Sequence, residues 1–317
     1  MSAVLRGSCF GLCGAVALLG MAALAARETG PETALSLPFP HAGEAHGGWS
    51  GIDVSPDGTR FWAVSDRGMR SEGALRRTAD GRLMRVDAAA PERLPGLSRE
   101  PAGTVPDAEG LDIAPSNGAA YVSFEGTARV RRYDGAWRRS WAVPDVPAAQ
   151  DLPRNRGLEA VARDLAGRLY TLPERPPRFG APFPLYRYEE PPSGPPRWAR
   201  AAGLSSDATW LAVGADFGPD GALYLLERRF GIVGFASRVR RFDLERARPE
   251  ATLAGEIVFA SPVGRFGNLE GLGIWADAQG RLRAVMIADD NGNAFQRSEI
   301  VEVGLGRLSL ASGAPGQ

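Results

Sequence analysis

One stretch of sequence decides the fold: residues 49–66 read WSGIDVSPDGTRFWAVSD. It contains an extended apolar segment over residues 49–54, a Ser-Pro-Asp-Gly turn at 55–58, and an apolar return that ends at Asp66. Proline followed by Asp-Gly is typical turn chemistry, and the flanking runs are rich in β-branched and aromatic residues. The stretch therefore predicts a β-hairpin whose second strand ends in an acid.

The same unit recurs along the chain. Each copy combines an extended opening, a turn that contains glycine, and an apolar return strand that ends in an acidic residue. The later copies run over residues 109–125, 158–174, 219–227 and 268–290. A third strand of alternating apolar and polar residues follows each hairpin, as in residues 130–134, and this alternation is typical of a strand with one solvated face.

The spacing of the repeat favours an all-β fold, a β-propeller of four-stranded blades. The acids that end the third strands recur about every 50 residues, which fits one blade per repeat: Asp87, Asp134, Glu189 and Asp243. Fourth strands are predicted within residues 137–143, 197–202 and 252–259. Five repeats are countable, and the N-terminal segment Leu35 to Phe39 leaves room for a sixth blade. A large β-sandwich is the alternative, but it does not need a five-fold recurrence.

The N-terminal residues 1–25 are interpreted as a secretory signal peptide. Arg6 supplies a short positive region, residues 10–24 form an apolar stretch interrupted by glycines, and Ala23-Leu24-Ala25 fits a cleavage site. The mature chain, residues 26–317, is predicted to be a single propeller domain in the periplasm or secreted. An uncleaved membrane anchor is the alternative. Because Cys9 and Cys13 both lie in this segment, the mature chain has no disulfide and no thiolate metal site.

The composition narrows the classes of partner. The 317 residues are 44% hydrophobic and carry a formal net charge of zero, with arginine as the sole basic residue type other than two histidines. This balance predicts neither nucleic acid nor, once the signal is removed, a membrane surface as partner. The sequence contains no G-x-S-x-G motif for a serine hydrolase and no phosphate-binding glycine loop.

Acidic residues are expected to gather at one edge of the propeller. In a tight hairpin, the start of the first strand and the end of the second lie at the same edge of the sheet. The opening acids are Glu109, Glu159 and Glu270, and the closing acids are Asp66, Glu125, Glu174, Glu227, Asp289 and Asp290. The first copy has Ser50 in place of an opening acid, and the fourth offers only Asp207 as a weak candidate.

Carboxylates confined at one end of a propeller channel repel each other unless a cation neutralises them. Hard oxygen ligands at irregular spacing suit Ca²⁺, so the predicted metal ligands are drawn from this set: Asp66, Glu109, Glu159, Glu270, Asp289 and Asp290. Arginines that directly follow closing acids, Arg67, Arg175 and Arg228, are predicted to bind an anionic substrate. The structural alternative is that the acids cap turns and the arginines are their ion-pair partners.

These motifs resemble, in the same order, the phytase-like family described as "esterase-like activity of phytase". The matching segments are residues 51–53, 65–67, 109–111, Asn155 to Glu159, 226–228, 268–271 and Asp289-Asp290-Asn291. The resemblance implies a secreted β-propeller and a calcium-dependent hydrolase of phosphate or other esters. The chain departs from the family pattern at Ala160, where Glu-Gly-Leu is usual, and in the fourth copy, which lacks an opening acid.

Three hypotheses remain open. The first is an extracytoplasmic, calcium-dependent phosphoesterase whose small-molecule substrate is an anionic ester. The second is a calcium propeller that hydrolyses lactones or carboxylic esters and does not need the arginines. The third is a non-catalytic propeller that binds a ligand or a protein and holds a purely structural ion.

Overall fold

The structure is a computed structural model that describes residues 34–41, 47–97, 106–146, 157–231, 234–290 and 296–307. Residues 1–33, which include the predicted signal peptide, lie outside the described part of the chain, as do Asn155 and Asn291. Within the described part, no helix is long and apolar enough to cross a membrane.

Five sheets form the described part of the chain, and the predicted propeller is confirmed. Blade 1 comprises β2 (Trp49–Val54), β3 (Arg60–Ser65), β4 (Met69–Arg77) and β5 (Leu83–Ala88), with the short β6 (Glu92–Arg93) paired to β4. Blade 2 comprises β7 (Ala108–Ile113), β8 (Ala120–Phe124), β9 (Arg129–Tyr133) and β10 (Ser140–Ala142). Within each blade the successive strands are antiparallel, with the first strand innermost.

Blade 3 comprises β11 (Leu158–Arg163), β12 (Leu169–Pro173), β13 (Phe183–Glu189) and β14 (Arg197–Leu204), and the short β18 (Thr252–Leu253) joins it in parallel to β14. Blade 4 comprises β15 (Leu211–Phe217), β16 (Leu223–Gly231), β17 (Gly234–Phe242) and β19 (Glu256–Ala260). The predicted fourth strands correspond to β10, β14 and β19. The sequence reasoning missed β15, because its copy carries no acid at the opening.

The N-terminal segment closes blade 5 instead of building a sixth blade. Blade 5 comprises β20 (Asn268–Ala276), β21 (Arg281–Asp289) and β22 (Glu299–Arg307), and β1 (Leu35–Pro38) is its fourth strand. In this antiparallel pair Leu35 lies opposite Glu302 and Pro38 opposite Glu299. The two ends of the described chain are therefore joined in one sheet, which closes the ring.

Five apolar clusters hold the ring together, and each is shared by two neighbouring blades. Leu158 of blade 3, for example, packs in one cluster with Val130 of blade 2. Phe39, which is 2% exposed, follows β1 and packs edge-on against Trp49 and Phe61 of blade 1. Burial between every pair of neighbours fixes the blade count at five, because a gap would expose two of these apolar faces to water.

Glycine in the innermost strands allows neighbouring strands to approach closely. A Cβ atom at Gly110 would lie 2.7 Å from the backbone nitrogen of Val161, and one at Gly271 would lie 2.6 Å from that of Ile52. Such contacts exclude any larger residue without a backbone shift. In the Glu-Gly pair of the repeat, the glycine is thus needed for close packing of neighbouring innermost strands, whereas the glutamate is not.

Candidate metal centre

A β-bulge lies at the same place in each innermost strand. The strand pairing shifts between Trp49 and Gly51, Ala108 and Leu111, Leu158 and Ala160, Ala212 and Gly214, and Leu269 and Gly271. A bulge inserts a residue that the partner strand does not match, and it re-aims the side chain there. The inserted positions hold Ser50, Glu109, Glu159, Val213 and Glu270, so the predicted opening acids share one structural position.

Val213 explains why the fourth blade has no opening acid. It occupies the bulge position and is 2% exposed within the apolar cluster between blades 4 and 5. Asp207 lies before β15, where its carboxylate accepts hydrogen bonds from Thr209 and lies 3.6 Å from an Arg238 nitrogen. Blade 4 therefore contributes a valine to the ring of bulge residues, and Asp207 is held at a separate ion pair.

The closing acids are fixed at the same edge by backbone hydrogen bonds. The amide of Asp66 donates to the Gly48 carbonyl at 2.8 Å, and the amide of Glu125 donates to the Asp107 carbonyl at 2.9 Å. The Glu174 amide donates to the Gly157 carbonyl in the same way, at 3.4 Å. Each of these bonds ties the end of a second strand to the residues that precede the innermost strand of the same blade. We call this edge the rim.

Two groups of three carboxylates at the rim are close enough to share a cation. In each group one oxygen per residue lies within 4.8 Å of the others, and the groups share Glu125. The first group contains Asp107, Glu109 and Glu125, and the second contains Glu125, Glu159 and Glu174. Thus four predicted rim acids come together between blades 2 and 3.

Asp107 was missed by the sequence reasoning, which started the second copy at Glu109. Its φ of +35° lies in the left-handed region that few residues other than glycine adopt. Asp is among the residues that tolerate this conformation best. The available signal was a further acid two positions before the opening glutamate, next to Pro106.

Burial and mutual repulsion disfavour the charged forms of the rim acids. Burial, followed by repulsion from Glu270 and Asp107, raises the pKa of Glu109 well above its ordinary value. Burial and the charges of Glu109 and Glu174 do the same to the pKa of Glu159. Burial and Asp107 raise the pKa of Glu125 to about 7. For Glu159 and Glu125, burial and like charges outweigh the opposing effect of Arg228.

Asp66 has a carboxylate oxygen whose hydrogen-bonding capacity is unsatisfied within the described residues. Its Oδ1 atom is buried and has no hydrogen-bond partner among the described residues, and the Arg67 guanidinium lies 3.9 Å away. Burial raises the pKa of Asp66 to about 6, against the effect of Arg67. A buried carboxylate oxygen without a donor is a site where a cation or a water molecule gains an acceptor.

Arg228 neutralises the other half of the rim. Its guanidinium donates a hydrogen bond to Glu270 and another to the Asn268 side chain at 2.6 Å, and it lies 3.5 Å from Glu174. Burial alone lowers the pKa of Arg228, but the carboxylates of Glu270, Glu159 and Glu174 raise it above its ordinary value. Arg228 is therefore an internal counterion in this structure, which favours the structural alternative for this residue.

Glu227 lies apart from the two carboxylate groups. It is 0% exposed and accepts hydrogen bonds from Arg238 at 2.6 Å and from Arg240 at 2.7 Å. Because two guanidiniums already satisfy this carboxylate, it is committed to an ion pair inside blade 4. Its neighbour in sequence, Arg228, extends to the rim instead.

The remaining predicted residues lie at the rim edge but outside the two groups. Asp289 and Asp290 are both 4% exposed at the end of β21, and Asp289 pairs in register with Asn268. Arg175 is half-exposed and lies 3.1 Å from Glu174. Arg67 and Arg175 are thus the more accessible of the three predicted arginines, with side chains 37% and 44% exposed against 18% for Arg228.

The chain matches one protein-family model and several solved structures. A family model described as "Phytase-like: Esterase-like activity of phytase" matches residues 44–292. A comparison with curated protein sequences finds no match. Solved structures with a similar fold include the major allergen Mala s 1 of Malassezia sympodialis, at 14% identity and a TM-score of 0.48, over 81% of this chain and 77% of that one.

A gluconolactonase from Xanthomonas campestris matches at 14% identity and a TM-score of 0.46, over 82% of this chain and 73% of that one. The calcium-binding protein regucalcin from Agrobacterium tumefaciens matches at 13% identity and a TM-score of 0.43, over 85% and 97%. Similarity at this level extends to the fold alone, so it assigns neither a ligand nor a reaction to the rim.

Proposed function

This chain belongs to the phytase-like family, and we propose that its rim binds Ca²⁺ and that the protein is an exported hydrolase of anionic esters. The observation that carries the proposal is Glu109. Its side chain is 8% exposed, and no hydrogen bond or ion pair satisfies its carboxylate within the described residues. A buried carboxylate is expensive unless it is paired, so a cation at this position removes a large penalty.

The donor set fits calcium. The two groups of three carboxylates share Glu125, so five residues offer only oxygen atoms, and Ca²⁺ takes six to eight oxygen ligands in a flexible geometry. The nitrogen and sulfur ligands that mark zinc or copper sites are missing from both groups. The residues that would hold the ion are Asp107, Glu109, Glu125, Glu159 and Glu174. Asp66 borders this set and supplies a further unsatisfied oxygen.

The three arginines at the rim have two different roles in this proposal. Arg228 forms ion pairs with Glu270 and Glu174, and within the described residues no ion pair neutralises Glu109. Arg67 and Arg175 lie at the accessible part of the rim, each beside one acid, and have N–H groups that can bind a phosphate. When bound, Ca²⁺ would supply the positive charge that polarises a phosphoryl oxygen and lowers the pKa of a coordinated water.

A second candidate activity is hydrolysis of lactones or carboxylic esters at the same rim. The engagement of Arg228 by Glu270, Asn268 and Glu174 favours it, because the arginine predicted to bind an anion is already satisfied. This activity needs the carboxylate groups and the ion but not Arg67 or Arg175. Substitution of these two arginines therefore separates the two candidates.

A panel of substrates tests the proposal. Purified mature protein is assayed with p-nitrophenyl phosphate, p-nitrophenyl acetate and a γ-lactone, each with Ca²⁺ and with EDTA. We expect turnover of the phosphate ester that requires Ca²⁺ and falls by tenfold or more, roughly 1.4 kcal/mol, in Glu109→Gln. Arg67→Gln with Arg175→Gln should reduce phosphate turnover and spare any lactone turnover. Asp57→Asn, at an exposed turn, is the matched control. Calcium binding without turnover of any ester would support the non-catalytic hypothesis.

Export remains part of the proposal. The predicted signal peptide implies a mature N-terminus near Ala26, so mass spectrometry of the secreted or periplasmic protein should find the first ~25 residues missing. Recovery of the full-length chain from the membrane fraction would favour the uncleaved anchor instead.

A further inference from the structure

A cavity lies at the ends of the innermost strands that are opposite the rim. It has a volume of about 490 Å³ and is lined by the ends of the innermost strands of all five blades, such as Ala276, and by the turns that follow them in blades 1 to 4, at Pro56, Pro115, Leu165 and Pro219. Its wall contains the aromatic side chains of Trp62, Phe217 and Trp275. A concave, largely apolar cavity of this size with a few polar groups is the common form of a small-molecule site.

Three aspartates converge on this cavity from the ends of the innermost strands. Each accepts a hydrogen bond from a backbone amide of the next blade: Asp53 from Ile113 at 2.5 Å, Asp112 from Arg163 at 2.7 Å, and Asp216 from Ile274 at 2.6 Å. They lie three residues after the bulge positions of blades 1, 2 and 4. The repeat thus produces a second set of acids, which is independent of the rim.

The charges in the cavity are unbalanced. Among the described residues, Arg163 is the one cationic residue in the lining, and its guanidinium binds Asp112 at 2.5 Å. Asp164 also lines the cavity and pairs with Arg168 at 2.6 Å. Within the described residues, Asp53 and Asp216 have backbone amides as hydrogen-bond donors but no cationic side chain in an ion pair.

Burial and mutual repulsion disfavour the charged forms of these aspartates. Burial, followed by the charge of Asp112, raises the pKa of Asp53 to about 8. Burial and the charges of Asp53 and Asp112 raise the pKa of Asp216 well above its ordinary value. A positive charge near both residues would remove this penalty.

The wall holds a further unsatisfied group. Trp275 is 4% exposed, and its indole Nε1 is buried without a hydrogen-bond partner in the described part of the chain. The Arg77 guanidinium lies over the Trp275 ring, 4.2 Å from its centre, and carries its charge into an ion pair with Glu302. The cavity therefore combines apolar walls with two carboxylates that have no ion-pair partner among the described residues.

We propose that this cavity binds a small organic cation, a primary amine carried on an aromatic or hydrocarbon body, with its ammonium group between Asp53 and Asp216. Charge complementarity selects the cation, and the apolar wall selects its body. An anion is disfavoured because Arg163 is already paired with Asp112. A bare metal ion is disfavoured because the groups of three carboxylates that lie within 4.8 Å in the described residues are both at the rim.

The test compares two probes that differ in charge and match in shape, 2-phenylethylamine and 2-phenylethanol. Calorimetric titration of the mature protein in EDTA should show the amine binding at least about tenfold more tightly than the alcohol. Asp53→Asn and Asp216→Asn should each weaken amine binding by about tenfold and leave alcohol binding unchanged. Asp57→Asn removes the same charge from an exposed turn beside the cavity, and Glu109→Gln removes it from the rim; both should bind the amine as the wild type does.

The outcomes separate this site from the rim. Equal affinities of wild-type protein for the amine and the alcohol, or no binding of either, would overturn the proposal. So would an equal loss in Asp57→Asn and Asp53→Asn, because that result indicates only the general charge of the protein. Since Asp53 and Asp216 also accept backbone hydrogen bonds, thermal melts check that their variants fold. If they do not, the two probes are compared on wild-type protein and on Glu109→Gln, and a preference for the amine that Glu109→Gln loses would overturn the assignment to the cavity. The titrations contain no Ca²⁺, so failure of the proposed rim function leaves this result unaffected.

Discussion

Asp107 and Glu125 are held side by side by their own backbones, with the Glu125 amide donating a hydrogen bond to the Asp107 carbonyl at 2.9 Å. This bond joins the end of the second strand of blade 2 to the segment that leads into its first strand. It therefore places two carboxylates next to Glu109 before any ion binds. A site built in this way needs little rearrangement to accept a cation, but its empty form is destabilised by repulsion.

Calcium should stabilise the fold, because an ion that binds only the folded state raises the free energy of unfolding by mass action. We expect saturating Ca²⁺ to raise the Tm relative to EDTA in the wild type and in the Asp57→Asn control. In Glu109→Gln the increase should be much smaller. Differential scanning calorimetry in both conditions measures this, and identical wild-type melts would leave the calcium site without support.

Glu109 and Glu270 occupy equivalent bulges but have different surroundings, so their glutamine variants should differ. Glu109→Gln should weaken Ca²⁺ binding about tenfold. It should also leave the metal-free protein as stable as before or more stable, because a repelling charge is removed. Glu270→Gln breaks the ion pair with Arg228 and should destabilise the metal-free protein by roughly 1–3 kcal/mol.

Calorimetric Ca²⁺ titrations beside melts of the metal-free variants measure both quantities. The sequence predicts Glu270 as a metal ligand, and the structure shows its carboxylate in an ion pair with Arg228. A tenfold loss of Ca²⁺ affinity in Glu270→Gln, of roughly 1.4 kcal/mol, with unchanged metal-free stability would support Glu270 as a metal ligand.

The effect of calcium should depend on pH. The raised pKa values of Glu125, about 7, and Asp66, about 6, mean that the folded metal-free protein retains protons that the unfolded chain has lost. Its free energy of unfolding should therefore fall as the pH rises from about 4.5 to about 7. Bound Ca²⁺ requires ionised carboxylates, so the increase in Tm caused by Ca²⁺ should grow over the same interval.

Melts in Ca²⁺ and in EDTA across this pH range provide the measurement. The pKa values of Asp53 and Asp216, in the cavity opposite the rim, are also raised, so these residues change the free energy of unfolding with pH in the same direction. Their contribution is the same with and without Ca²⁺, so it cancels in the difference between the two melts. A calcium effect of the same size at both ends of the range would contradict the protonation of the rim acids.

The sequence predicts the repeats well and the partners of individual side chains poorly. Alternation and turn residues are local, so the turns and return strands of all five hairpins can be predicted from the sequence, and so can the shared edge of Glu109 and Glu125. The direction of a long side chain depends on distant residues that sequence spacing does not reveal. Glu227 is turned into blade 4 by Arg238 and Arg240, and Arg228 is held at the rim by Glu270 of the next blade.

Other misses have a similar cause. Leu35 to Pro38 carries an ordinary strand pattern, and only the unpaired outer edge of β22, at the far end of the chain, determines where it binds. Val213 conceals the opening strand of the fourth copy, because an acid marks that strand in three of the other four copies. The bulge that unites Val213 with Glu109 is a property of strand pairing.

Closure by the N-terminal strand should be essential to stability. Phe39→Ala removes a ring that packs 5.1 Å from Trp49 and 5.8 Å from Phe61, measured between ring centres, and should cost about 3–5 kcal/mol. Phe179→Ala is the control, because Phe179 is 90% exposed, and it should change stability by less than about 0.5 kcal/mol. Urea denaturation of both variants tests this, and equal stabilities would show that the segment is dispensable.

Gly110 should tolerate no side chain, although alanine occupies the equivalent position in blade 3. A Cβ at Gly110 would lie 2.7 Å from the Val161 nitrogen and 2.9 Å from the Ala160 Cα, and both of these are backbone atoms that only a movement of blade 3 can displace. Overpacking of this kind costs typically about 1–3 kcal/mol. Gly273→Ala is the graded control, since its Cβ contacts lie at 3.1–3.3 Å, tight but not forbidden, so it should cost less.

Because Gly110 adjoins Glu109, the shift should also disturb the rim, so Gly110→Ala should lose Ca²⁺ affinity as well as stability. Chemical denaturation and Ca²⁺ titration of both variants measure these effects. If Gly110→Ala were as stable as Gly273→Ala and bound Ca²⁺ like the wild type, close packing of blades 2 and 3 would not be what requires glycine beside the rim glutamate.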